Sequence, residues 1–113
     1  MDLDTLTLKF SQTESPVASR LSEALQGWKS DDSSVADLAK RIEQLIEIGS
    51  VEKTKSQAEL AQLWSSFRRE VVDGIGGMTM NERLYLFGLL SHYDACQTQN
   101  DRMRLYGKLN ASP

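Results

Sequence analysis

The stretch from Met78 to Leu90, M-T-M-N-E-R-L-Y-L-F-G-L-L, constrains the fold more than any other part of the chain. Thr79 is suited to cap a helix, because its hydroxyl can accept from the free backbone N–H groups of a first turn. Glu82, three residues on, can return a bond to the cap's own N–H. Behind this start signal Leu84, Tyr85, Leu86, Phe87, Leu89 and Leu90 leave almost no polar face, interrupted only by Gly88. A helix of that composition must be enclosed by protein on most sides. The pattern predicts a central helix that the rest of the chain is built to cover.

The remainder supplies the covering helices. Ser15-Pro16 predicts a helix start, with serine as cap and proline in the first turn, and Val17, Leu21, Ala24, Leu25 and Trp28 form one apolar stripe running to about Lys29. The run Ser30-Asp31-Asp32-Ser33-Ser34 breaks that pattern with turn-forming residues. Ser34 with Asp37 opens a second helix over Val35, Leu38, Ala39, Ile42, Leu45 and Ile46, stopped at Gly49. Ser56 with Glu59 reads as a capping box for a third, whose Leu60, Leu63, Trp64, Phe67 and Val71 make the expected partner face of the central helix. Asp73-Gly74-Ile75-Gly76-Gly77 then reverses the chain. Asp101 is the expected cap of a short last helix burying Met103, Leu105 or Tyr106, and Leu109, before a frayed end at 110–113. Residues 1–12 are read as an extended or irregular arm, because Leu6, Leu8 and Phe10 alternate with polar residues and no second strand is available to pair with them. The expected fold class is therefore all-α: a single domain over 1–113, four main helices plus a short C-terminal one. Its expected core is Leu21, Leu25, Leu38, Ile42, Leu45, Leu63, Trp64, Phe67, Leu84, Phe87 and Leu90.

Composition narrows the function. With 113 residues, 40% hydrophobic and 26% charged, the chain can bury a core unaided by disulfides or metal. The net charge of −3 opposes general affinity for phosphate backbones or anionic lipid. Cys96 is the single cysteine, which excludes an internal disulfide and points to a reducing compartment. No signal-peptide pattern or membrane-length apolar run is present, so cytoplasmic residence is expected.

Three constellations hold residue types that chemistry could use. On a helix, His92 and Cys96 share a face, but with no second His or Cys a metal site would need distant carboxylates, and packing is the plainer reading. The glycine-rich turn at 73–77 lacks the Lys-Ser/Thr pair of a phosphate loop and follows a helix rather than a strand. Arg68, Arg69, Arg102, Arg104 and Lys108 could face nucleic acid, or equally form a solvated face or meet an acidic protein. No catalytic, cofactor or metal site is predicted.

The span 78–109 resembles short bacterial proteins of unassigned function in which M-T-x-N-E-R-L opens an apolar helix, an aromatic-Asp pair follows, and Asp-Arg begins a second helix. Here these are Met78, Thr79, Asn81, Glu82, Arg83 and Leu84, then Tyr93-Asp94, then Asp101-Arg102. The resemblance implies a bacterial source and assigns no activity. The reading that follows is a non-enzymatic protein-interaction module with an unidentified protein partner. Its rivals are a small nucleic-acid-binding regulator and an immunity or antitoxin-type protein, whose acidic surface would suit a basic partner. Leu6 and Phe10 on the arm, and Tyr85, Leu89 and Tyr93 on the uncovered side of the central helix, are the expected interaction surface, one that a two-fold homodimer would bury.

Overall fold

The computed structural model describes residues 1–51 and 54–112, whose regular secondary structure is all helical, with no strand among them. Seven α-helices follow in order: α1 (Leu3–Ser11), α2 (Ala18–Trp28), α3 (Val35–Gly49), α4 (Lys55–Phe67), α5 (Met80–Leu86), α6 (Leu90–Asp94) and α7 (Gln99–Lys108). A π-helical turn, Arg68–Val72, extends α4, and a 3-10 turn, Ile75–Gly77, precedes α5. The body measures 46 × 24 × 19 Å. No helix among the described residues is long and apolar enough to cross a membrane.

The N-terminal arm is a helix. Asp2 caps it by accepting from the Thr5 N–H at 2.7 Å, and the 3-6-10 spacing then puts Leu3, Leu6 and Phe10 on one face, all fully buried. That face packs on α2 and α4. The competing alternation would have needed a strand partner that an all-helical chain lacks, and only Leu8, 56% exposed, stays outside. Burial of three large side chains decides the conformation, at roughly 1.5–3 kcal/mol each.

The central helix is broken. Gly88 takes φ +67°, the Leu89 N–H reaches back to the Leu84 carbonyl at 2.8 Å, and the Gly88 N–H donates to that of Tyr85 at 3.2 Å. These two bonds make a Schellman stop, which ends α5 and restarts the chain as α6 in a new direction. The apolar run is thus divided: Leu84, Phe87 and Leu89 are buried, Leu86 is half-buried, and Tyr85 and Leu90 turn outward. Leu90 therefore leaves the expected core, and Leu45 and Leu63 are half-buried at its edge. Gly88→Ala should cost about 1–2 kcal/mol from the left-handed backbone alone. The new Cβ would also approach the Asp4 carboxylate and Lys29 ammonium at 2.8 Å, but these are ends of flexible side chains. A urea melt checks it; an unchanged midpoint would mean that the turn is not held.

Capping boxes at Ser34/Asp37 and Thr79/Glu82 form as read. Two other helix starts lie earlier than expected. Thr54, not Ser56, caps α4 by accepting from Gln57, and Thr98, not Asp101, caps α7 by accepting from the Asp101 N–H. In each case a threonine in extended backbone stands just ahead of the polar residue that resembled a cap. Ser15 accepts from the Val17 N–H at 3.3 Å, but α2 itself begins only at Ala18. The C-terminal end is ordered through Ala111, because Asn110 takes φ 55° and the Ala111 N–H closes onto the Tyr106 carbonyl at 2.8 Å, another Schellman stop. Pro113 lies outside the described residues.

Four aromatic rings tie the halves together. Trp28 of α2 meets Phe87 at 5.6 Å between centroids, Phe87 meets Phe67 edge-on at 5.8 Å, and Phe67 meets Trp64 at 5.8 Å. Both indole N–H groups are satisfied, Trp28 by the Ser34 carbonyl and Trp64 by the Glu43 carboxylate, each at 3.0 Å. The row therefore ends on polar groups at the core's margins.

Candidate functional site

At the Trp28 end of the row stands Lys108, brought there by α7. Its side chain is 3% exposed, and its Nζ donates to the Asp31 carbonyl at 2.9 Å, the Asp31 carboxylate at 3.0 Å and the Ser33 carbonyl at 2.8 Å. The nitrogen also lies 4.1 Å from the Trp28 ring centroid. Three acceptors for three N–H donors, with an aromatic face beside them, describe an ammonium site. Burial pulls the Lys108 pKa below its usual value, against the opposing pull of Asp31. Asp31, although partly desolvated, is held below the ordinary carboxylate range by hydrogen bonds from Ser33 and Lys108. The Ser30–Ser34 loop is thus pinned by a residue far along the chain.

At the other end of the row, Glu43 of α3 accepts from both Trp64 and Arg68. Burial works to raise its pKa, but the hydrogen bonds and charge of Arg68 and the bond from Trp64 outweigh it and leave it lowered from 4.5. A carboxyl with a lowered folded pKa contributes stability that is fully present above its unfolded value and is lost as pH falls through the folded one. Urea midpoints should therefore decline on acidification below about pH 4.5, and Glu43→Gln should flatten part of that decline. An identical acid limb in the variant would remove Glu43 from the account.

These pairings redistribute the basic residues that the sequence put forward as a nucleic-acid surface. Arg68 pairs with Glu43 and with Asp73, Arg104 pairs with Asp32, and Lys108 is buried. Arg102 lies over the Tyr93 ring, 5.9 Å from its centroid. Among the described residues Arg69 and Arg102 are exposed and in no ion pair.

The expected apolar interaction face is also divided. Leu6, Phe10 and Leu89 are in the core, fully buried, because the arm folds as α1 and the Gly88 stop turns Leu89 inward. Tyr93 is half-buried against Tyr106, with ring centroids 6.5 Å apart. Tyr85, 59% exposed, and Leu90, 41% exposed, remain on the surface on either side of the turn.

Two open clefts flank the Ser30–Ser34 loop. One, of about 640 Å³, lies between that loop and α6–α7 and includes His92, Cys96 and Arg104 on its walls. His92 and Cys96 do share a side there, but the thiol is spent on the His92 carbonyl at 3.3 Å. The other, of about 610 Å³, lies between α2 and α3. Sequence reasoning found neither the Lys108 pin nor the α2–α3 cleft. The pin joins residues 77 apart, and the cleft depends on how two helices are spaced, which periodicity does not carry. No protein-family model, curated protein or solved structure matches this chain.

Proposed function

We propose that this chain is a non-enzymatic protein-interaction module of the bacterial cytoplasm. The observation that carries the reading is the pair Tyr85 and Leu90, left in solvent while their neighbours Leu84, Phe87 and Leu89 are buried. A tyrosine offers large contact area at low entropic cost, and a Schellman stop between the two holds them on a rigid corner. The bacterial and cytoplasmic parts of the proposal rest on the 78–109 resemblance and on the single cysteine.

The nucleic-acid alternative is weakened by the pairing of Arg68, Arg104 and Lys108 with acids of this same chain. If Arg69 and Arg102, the unpaired members of that candidate set, were its only phosphate contacts, the fall of log K with log salt on duplex DNA would have a slope of about −2. Binding at physiological salt should then be negligible. One experiment tests both readings: the immobilised full chain is incubated with bacterial lysate, and retained protein and nucleic acid are each quantified. A specific protein should be retained by the native chain and lost on Tyr85→Glu with Leu90→Glu, the far-ultraviolet spectrum unchanged. Retained nucleic acid with a slope of about −4 or steeper, abolished by replacing Arg69 and Arg102, would overturn the proposal.

A further inference from the structure

Two cationic side chains are buried among the described residues, Lys108 and Arg83, and only the first is answered by an acid. Arg83, on α5, is 7% exposed and makes no ion pair among the described residues. Glu82, its neighbour in sequence, is turned to the Thr79 N–H at 3.2 Å. The Arg83 Nη1 donates to the carbonyl of Leu109, the C-cap of α7, at 3.2 Å. Its Nε has no hydrogen-bond partner, and among the described residues it is the single buried side-chain nitrogen or oxygen of which that is true. A charged donor taken out of water and left unbonded is destabilising, so an orphan of this kind calls for a partner from elsewhere.

Which edge of the guanidinium is left over decides what that partner is. Nη1 is the terminal nitrogen on the Cδ side, and it is the one spent on Leu109. The opposite edge remains, along which Nε–H and one N–H of Nη2 point the same way. Nη2 also has no partner among the described residues. Two parallel donors on a rigid plane match the two oxygens of a carboxylate, the pairing in which arginine differs most from lysine. One guanidinium carries one positive charge, which a carboxylate neutralises in full. A phosphate monoester would bring further negative charge up to the Leu109 carbonyl, which already faces the group.

We propose that the Nε–Nη2 edge of Arg83 is a binding site for a carboxylate. This goes beyond the reading built on Tyr85 and Leu90 and uses neither residue. Met80 and Leu86 stand one turn to either side of Arg83 on the same face of α5, and both are half-buried. A carboxylate approaching between them displaces no charged group, and methionine repacks readily around an incoming one. The bound group would complete the guanidinium's hydrogen bonds while Nη1 keeps its hold on the end of α7. Two sources offer this chemistry, a free small acid and the carboxylate of a polypeptide.

Nuclear magnetic resonance of arginine Nε–H groups in the full chain tests it, with acetate replacing chloride at a constant ionic strength of about 0.2 M. The Arg83 signal, assigned by its loss in Arg83→Lys, should move downfield saturably, half-way between about 1 and 100 mM acetate, as suits so small a ligand. The urea midpoint should rise with acetate in the native chain, because a ligand bound only by the folded state stabilises it. Arg83→Lys, which keeps the charge and removes the paired donors, should bind acetate at least about tenfold more weakly and lose that rise. N-acetylglycylglycine separates the sources: binding at least about tenfold tighter than acetate assigns the site to a polypeptide carboxylate, and equal or weaker binding assigns it to a free acid. An Arg83 signal that acetate leaves unmoved, or that chloride moves equally, overturns the proposal. So does an Arg83→Lys chain that keeps the acetate-dependent rise, or an N-acetylglycylglycine amide that binds as tightly as the acid.

Discussion

Phe87→Ala should lower the free energy of unfolding by about 3–5 kcal/mol. Phe87 is fully buried and is the only ring in the aromatic row that touches both Trp28 and Phe67. It comes from the C-cap of α5, whereas the other three rings come from α2 and α4. Truncation would therefore remove packing area and also the contact joining two parts of the core. The cavity should not close readily, since the next residue, Gly88, is itself in the left-handed conformation and the flanking Leu84 and Leu89 are buried in the core. Urea unfolding followed by helical signal, with the slope unchanged, gives the number. A loss below about 1 kcal/mol would mean that the site collapses and that the row is not continuous.

Lys108→Met should cost about 2–3 kcal/mol, even though methionine matches the length of the apolar stem. The substitution keeps most of the packing and removes the ammonium. The carbonyls of Asp31 and Ser33 then lose a charged donor, and the Trp28 face loses its cation. Because the Asp31 side chain is half exposed, water can replace part of what is lost, which keeps the figure below that of a fully buried pair. Lys108→Arg should not rescue it, as a planar fork does not fit three acceptors converging on one nitrogen. Amide hydrogen exchange gives a local readout: Ser30 to Ser34 should lose protection in the methionine variant while α4 keeps its own. Equal loss in both regions would show that Lys108 acts on global stability and not on the loop.

The all-helical class was legible in the periodicity, and so were two complete capping boxes, because those signals lie within one turn of the residues they organise. The N-terminal helix was not. Leu6, Leu8 and Phe10 fit two periods at once, and what decides between them is the presence of α2 and α4 to receive one face. The central helix failed for a different reason. Gly88 was visible as an interruption, but whether a glycine is tolerated within a helix or ends it depends on what packs against the next residue, here the fully buried Leu89. Charged residues were the least legible. Arg68 and Arg104 looked like free cations because their partners, Glu43 and Asp32, are 25 and 72 residues away. A run of basic residues in sequence says nothing about which acids the fold will bring to it.

The Lys108 pin has a consequence for the order in which the protein comes into being. A chain made from its N-terminus has α1 to α4 outside the ribosome while Phe87 is still inside the exit tunnel. At that stage Trp28 lacks two of the groups packed on its ring, and Phe67 lacks its edge-on partner. Transiently bare aromatic surface of this kind is what chaperones hold and proteases find. Nascent chains whose α4 has emerged but whose Phe87 has not should therefore be the vulnerable ones, and the last turn of α7 is the latch that ends the exposure.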